Sequence, residues 1–118
     1  MSAPPADDCV FCQVVAGDLP AETVHSTHHS IAFRDLEPQA PTHVLVVPRA
    51  HHANAAELAA ADPSGLADLV GVAAAVAERE GLGEHYRLVL NTGADAGQSV
   101  FHTHLHLLGG RPMSWPPG

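Results

Sequence analysis

The chain has 118 residues, a formal net charge of −8 at pH 7, and five arginines with no lysine. Because nucleic-acid binding depends on basic side chains that neutralise phosphates, this charge argues against a nucleic-acid partner. No apolar run approaches the ~20 residues that span a bilayer, and the polar N-terminal segment lacks the features of a secretory signal. We therefore expect a single cytoplasmic domain with one hydrophobic core and no membrane contact.

The N-terminal half predicts a disordered leader, a short helix and three strands. The helix is expected to end at Gly17, with Pro20 beyond it. Apolar and β-branched residues between polar or proline-containing turns predict the strands, and Pro48 ends the third of them. The predicted ranges are 1–8 for the leader, 9–16 for the helix, and 23–26, 30–34 and 43–47 for the strands.

The C-terminal half predicts one long helix and two further strands. Asp62 and Pro63 form a helix start, an N-cap aspartate followed by proline, and apolar residues then recur at helical spacing towards Gly81. Strands are predicted over 86–90 and 102–108, followed by a C-terminal tail over 109–118. Five strands joined by short turns, with one long and one short helix, indicate an α+β fold with an antiparallel sheet.

The predicted fifth strand carries three alternating histidines, His102, His104 and His106. Since a strand alternates sides, these side chains share one face, and Leu105 and Leu107, which point the other way with Thr103, indicate that the other face is the core side. Neutral imidazole is a nucleophile toward phosphorus, and a flanking imidazolium can stabilise phosphoryl oxygens. The glycine-containing turn before the strand can direct N–H groups at an anion. The pattern predicts phosphoryl or nucleotidyl transfer, with a solvated, histidine-rich sheet face as the alternative.

Two cysteines, Cys9 and Cys12, are spaced C-x-x-C at the predicted first helix. A closed tetrahedral zinc site would need two further ligands. A redox pair would be expected between a strand and a helix, and no strand is predicted before Cys9. Two reduced, buried cysteines are the third interpretation. These residues by themselves leave the metal and packing interpretations open.

Several separate motifs resemble one known family. They are the three histidines followed by two apolar residues, the stretch from Asp35 to His43, the strand that ends in Val47-Pro48, Asn91-Thr-Gly, Gly97-Gln-Ser-Val and the terminal Trp-Pro-Pro-Gly. Over residues 9–118 the chain resembles the histidine triad superfamily, in its nucleotide-binding branch. That resemblance implies one domain with a five-stranded antiparallel sheet, paired with a second copy in a homodimer.

The resemblance also implies roles for individual residues. His104 matches the nucleophile that attacks the α-phosphorus, His106 the phosphate contact, and Ser99 the group near the leaving atom. Asp35 matches the ribose carboxylate, and His43 a histidine that supports the triad. The full implied set of nucleotide-binding residues is Asp35, Asn91, Gln98, Ser99, Val100, Val10, Phe11, Phe33, Leu36 and Trp115, the last reaching toward the partner's site.

Some bacterial members of the superfamily carry a cysteine pair with zinc. The resemblance to them implies a structural Zn²⁺ bound by Cys9, Cys12, His51 and His102. The implied activity is hydrolysis of nucleoside 5′-phosphoramidates or related nucleotidyl compounds, with a purine, AMP-like group held on His104. The alternatives are a dinucleoside polyphosphate hydrolase or phosphorylase, a non-catalytic nucleotide-binding regulator, and a metal-binding module. The chain departs from better-known members at Thr103, Phe101 and Ser114, which bears on the leaving group.

Overall fold

The computed structural model describes residues 8–118, so the predicted leader, apart from residue 8, lies outside the described residues. Five strands and three α-helices follow one another, with a short 3₁₀ turn at Ala94–Ala96 before the last strand. In chain order the elements are α1 (Val10–Ala16), β1 (Thr23–Ser26), β2 (Ser30–Arg34), β3 (Thr42–Pro48), α2 (Ala55–Ala61), α3 (Pro63–Arg79), β4 (Tyr86–Val89) and β5 (Leu105–Gly109). None of these helices has the length and apolar character needed to cross a membrane.

The strands form one antiparallel sheet in the order β1-β2-β3-β5-β4. Strand β3 lies at its centre, and Leu45 of β3 stands opposite His106 of β5. All seven residues of β3 are buried. Both faces of the sheet are therefore covered at its middle, in agreement with the continuous apolar run in this strand.

The two faces of the sheet carry different layers. One face packs against α2 and α3 through Val44, Val46, Leu105 and Leu107, which join the helix residues in the larger core cluster. The opposite face packs against α1 through a smaller cluster that contains Phe11. Because side chains alternate along β5, Leu105 and Leu107 fill the helical core as predicted, and the histidines that alternate with them are left for the α1 side.

The predicted fold class is confirmed, and the structure adds one helix. Helix α2 was not predicted, although its N-cap signal is present: the Oδ1 of Asn54 accepts from the N–H of Glu57 at 3.0 Å. Asp62 is the N-cap residue of α3 as predicted, although its side chain makes no capping hydrogen bond. Pro63 does occupy the start of α3, and Gly81 lies just beyond its end with a left-handed φ of 77°.

The fifth strand begins three residues later than predicted, at Leu105 rather than at His102. Pro48 ends β3 and has no N–H to donate across the ladder. The N–H of Thr103 instead donates to the carbonyl of His52 at 2.7 Å. His102 and His104 therefore precede the hydrogen-bonded strand, and main-chain groups outside the sheet help to hold this segment.

A close approach at the end of β5 predicts a stability effect. A Cβ at Gly109 would lie 2.5 Å from Cδ1 and 3.2 Å from Cγ of Leu82. We expect Gly109→Ala to lower the free energy of unfolding by about 1–3 kcal/mol. Gly71→Ala is the matched control: its Cβ meets nothing within 4 Å on the exposed side of α3, so stability should rise by up to about 1 kcal/mol. Urea unfolding of both variants measures the difference, and equal changes would contradict the expectation.

Candidate active site and candidate metal cluster

A cleft of about 490 Å³ opens between α1 and the sheet. Its apolar walls include Phe11 and Phe33, which are only 8% and 6% exposed and so serve the core as well. Polar groups converge at one part of the lining. The predicted site residues that line this cleft are Val10, Phe11, Phe33, Asp35, Leu36, Ser99, Val100, His104 and His106. Its volume and mixed lining are those of a small-molecule site.

The hydrogen bonds of His104 determine which ring nitrogen can react. Its Nδ1 lies 2.8 Å from the carbonyl oxygen of His102, which can only accept, so Nδ1 carries the proton. Burial lowers the pKa of His104, so the ring is neutral at pH 7 and Nε2 keeps its lone pair. Phe11 packs edge-on against the ring with a centroid distance of 5.0 Å. The result is a fixed, neutral imidazole with a nucleophilic nitrogen.

A chain of hydrogen bonds fixes the opposite tautomer in His106. The main-chain N–H of Gln39 donates to Nδ1 of His43 at 3.0 Å, so a neutral His43 carries its proton on Nε2. That Nε2 donates to Nδ1 of His106 at 3.0 Å. His106 therefore carries its own proton on Nε2, where it is a donor rather than a nucleophile. Burial, with His104 and His43 nearby, lowers the pKa of His106 to about 4, which keeps it neutral.

Asp35 lies beside these hydrogen bonds. With His43 and His106 it forms one of the two groups of possible metal ligands among the described residues. Its Oδ2 lies 3.4 Å from Nε2 of His43, and its Oδ1 accepts from the N–H of Glu37 at 2.8 Å. A cation on Nε2 of His43 would require an imidazolate, because Nδ1 already accepts from the N–H of Gln39. The group is therefore better described as a hydrogen-bonded relay than as a metal site.

The other group of possible metal ligands is the cluster of Cys9, Cys12, His51 and His102, and its geometry does suit a metal ion. His102 donates from Nε2 to the carbonyl of Pro48 at 2.9 Å, so its Nδ1 keeps a lone pair. That Nδ1 lies 3.4 Å from both cysteine sulfurs and 3.1 Å from Nδ1 of His51. Burial lowers the pKa of His102 to about 4, so the ring is neutral as a ligand must be. The structure thus brings together all four residues that the resemblance implied.

The spacing of these four side chains fits a tetrahedral cation. Bonds of about 2.3 Å to sulfur and about 2.05 Å to nitrogen place tetrahedral ligand atoms about 3.3–3.8 Å apart. The sulfur of Cys12 lies 3.2 Å from Nδ1 of His51, so the cluster needs to open by only a few tenths of an ångström. Burial and the adjacent Cys9 raise the pKa of the Cys12 thiol to about 11, and a bound cation would reverse that by stabilising the thiolate.

Other predicted site residues lie outside the lining of the cleft. Asn91 stands next to Gly97, where a Cβ would lie 3.6 Å from its Nδ2. Gln98 is buried, and Trp115 is 82% exposed on the C-terminal tail. Their roles in nucleotide binding stay predictions. Sequence reasoning missed the main-chain groups of Gln39 and Pro48, because no residue-type signal marks a main-chain hydrogen bond.

The lowered pKa of His106 predicts a loss of stability in acid. The pKa falls from an ordinary value of 6.5 to about 4, so between these values the unfolded chain binds more protons than the folded protein. The contribution is complete above pH 6.5 and is lost as the pH falls toward 4. We expect urea unfolding at pH 5 and pH 7.5 to differ by about 1–2 kcal/mol more in the wild type than in His106→Asn. Identical differences in the two proteins would contradict this assignment.

Comparison with known proteins shows the family to which this chain belongs. The HIT domain family matches residues 16–113. The chain is 44% identical to an uncharacterised HIT-like protein of Synechococcus elongatus, covering 96% of this chain and 99% of that one. It is 39% identical to the purine nucleoside phosphoramidase of Escherichia coli K12, covering 92% of each. A crystal structure of a HIT family hydrolase from Legionella pneumophila superposes with a TM-score of 0.88 at 47% identity, over 93% of this chain and 99% of that one. The chain therefore belongs to the HIT domain family.

Proposed function

We propose that this protein is a hydrolase of nucleoside 5′-phosphoramidates or related nucleotidyl compounds, with a purine, AMP-like group held covalently on His104. The observation that carries the proposal is the tautomer of His104, whose protonated Nδ1 is bound to a carbonyl and whose Nε2 is left as the nucleophile. The phosphoramidase of Escherichia coli, at 39% identity, supports the choice of substrate class. The apolar walls of the cleft suit a base, and Asp35 suits the ribose hydroxyls.

The proposed reaction has two displacements at the α-phosphorus. In the first, Nε2 of His104 bonds to phosphorus, the bond to the leaving nitrogen breaks, and that nitrogen takes the electron pair and a proton. Solvent supplies the proton, either directly or relayed through the hydroxyl of Ser99, which takes a proton from water as it gives its own away. In the second, water attacks phosphorus, the bond to Nε2 breaks, and the nucleoside monophosphate leaves with one proton passed to solvent. His106 donates from Nε2 to the phosphoryl oxygens in both steps, and the carbonyl of His102 stabilises the charged ring of His104.

We further propose that Cys9, Cys12, His51 and His102 hold a structural zinc. Two thiolates and two imidazoles form a donor set that zinc favours, and four protein ligands leave no open position for chemistry. Zinc there would fasten the N-terminus of α1 to the segment before α2 and to the start of the histidine segment. Reduced thiols suit the cytoplasmic location that the sequence predicts.

The homodimer that the resemblance implies stays a proposal as well. Strand β4 forms one edge of the sheet, and the exposed Trp115 lies on the C-terminal tail that follows β5. Arg87 of β4 donates to the carbonyl of Ser114 at 2.9 Å, which holds the tail near this edge. A second copy paired there would cover Trp115 and could bring it to the neighbouring cleft.

The test is turnover of adenosine 5′-phosphoramidate, with mass spectrometry of the acid-quenched protein. We expect AMP as product and an added AMP group on the peptide that contains His104. Reactions with added inorganic phosphate distinguish hydrolysis from phosphorolysis, because a phosphorylase would yield ADP. Failure of the wild-type protein to turn over the phosphoramidate would contradict the proposed hydrolase and leave the binding functions.

A further inference from the structure

Gln98 directly precedes Ser99 of the cleft, yet its own side chain is 3% exposed and does not line the cleft. Its Oε1 accepts from the N–H of Gly93 at 2.9 Å. Its Nε2 donates to the carbonyls of Ala53 at 2.7 Å and Val100 at 3.0 Å. A glutamine amide has two N–H donors, and both are used here. No N–H of this side chain is left to donate to a phosphate.

The three side-chain hydrogen bonds of Gln98 close the loop of residues 93–100 and join it to the segment between β3 and α2. Within the loop, the N–H of Gln98 also donates to the carbonyl of Gly93 at 3.0 Å, so this turn is closed by both main chain and side chain. The bond to Val100 spans Ser99, so it restrains the two residues through which this loop lines the cleft. The bond to Ala53 ties the whole loop to the segment between β3 and α2.

The same segment also anchors the residues that carry the nucleophile. Thr103 donates to the carbonyl of His52 with its N–H at 2.7 Å and its hydroxyl at 3.0 Å. Thr103 is the immediate neighbour of His104. Residues 52 and 53 therefore fix the loop before the histidines and the histidine segment itself relative to one another, through two adjacent carbonyls.

We propose that Gln98 is a positioning residue that holds Ser99 and Val100 in place against His104 and makes no contact with substrate. The inference rests on the proposed function, since Ser99 and Val100 serve that reaction. A displacement of about 1 Å at reacting groups can cost about 100-fold in rate. In the proposed function the base and ribose bind mainly through α1, β2 and Asp35, and none of the three side-chain hydrogen bonds of Gln98 reaches these groups. Loss of its hydrogen bonds should therefore slow the chemical step and leave nucleotide binding intact.

Two variants test this inference. Gln98→Met keeps the length of the side chain and removes all three hydrogen bonds. Gln98→Glu keeps the acceptor for Gly93 and sets a carboxylate against the two carbonyls. We expect kcat with adenosine 5′-phosphoramidate to fall about 10- to 100-fold in both. The Kd of AMP should stay within about twofold, and amide hydrogen exchange should be faster at residues 93–100 alone. Asp95→Ala, an exposed change in the same loop, is the matched control and should match the wild type.

Each alternative has its own signature. AMP binding weakened about tenfold, with exchange in the loop unchanged, would make Gln98 a substrate contact and overturn the proposal. Faster exchange throughout the sheet, with normal kcat per active site counted by adduct formation, would reduce Gln98 to general stability and also overturn it. A wild type without phosphoramidate turnover would contradict the proposed function alone. In that case localised faster exchange would still support the role of Gln98 in holding the loop, and unchanged exchange would overturn it.

Discussion

Replacing His104 by alanine is expected to reduce turnover of adenosine 5′-phosphoramidate by at least about 10⁴-fold, because it removes the atom that forms the covalent bond. The AMP adduct should disappear from the protein at the same time. Other cleft groups remain, since the contacts of Phe33 and Asp35 do not depend on the imidazole. AMP should therefore still bind with little change in Kd, measured by calorimetry.

Two controls sharpen the result for His104. His85→Ala removes an exposed histidine from the loop before β4 and should leave turnover unchanged. Free imidazole added to His104→Ala should restore part of the activity, because it can enter the space left by the ring and attack phosphorus itself. A variant that keeps more than about a tenth of wild-type turnover would show that another group is the nucleophile.

The second large effect concerns the cluster of Cys9, Cys12, His51 and His102. Removal of zinc by a chelator is expected to lower the free energy of unfolding by about 4 kcal/mol, the linkage expected when zinc is present at about 1,000 times its Kd. The physical reason is that a zinc ion held by these four residues would join α1, the segment before α2 and the histidine segment, which are far apart in sequence. Thermal unfolding with zinc and with chelator measures the difference.

Variants separate this cluster from its neighbours. Cys9→Ser should contain far less than one zinc per chain, and its thermal unfolding should no longer respond to the chelator. His52→Ala is the matched control, because it changes an adjacent histidine whose ring is not among the four converging ligands. It should retain zinc. Metal analysis that finds the zinc content of Cys9→Ser unchanged would refute the proposed ligand set.

The fold was largely predictable because its strands and longest helix have strong local patterns. Helix α1 ends at Gly17 as expected, with a left-handed φ of 84°. The histidine alternation correctly placed Leu105 and Leu107 in the core. Helix α2 was missed because its alanines carry little periodicity, although Asn54 and Glu57 marked its start. The onset of β5 was missed because it depends on Pro48 in a different strand, which no local pattern reports.

The candidate site, like the fold, was predictable from the sequence only in part. Residue type and spacing indicated the row of histidines and its class of chemistry, and the resemblance assigned the role of nucleophile to His104, which stays a proposal. The resemblance supplied the four members of the metal cluster, which the fold then brought within 4.8 Å of one another. For Gln98, the resemblance implied nucleotide binding, whereas its burial and its three main-chain partners support the positioning role proposed above. A polar side chain beside glycines has the same appearance in sequence in either role.

By itself, the sequence determined the order of the strands and of two of the three helices, the face on which the histidines lie and the class of chemistry that imidazoles can perform. These features follow from local periodicity and from the properties of single side chains. Only the tertiary structure decided which nitrogen of each histidine is free. The carbonyl of His102, the carbonyl of Pro48 and the N–H of Gln39 make that choice for His104, His102 and, through His43, for His106. These are main-chain groups that nearly all residue types share, so their effect depends on where the fold places them.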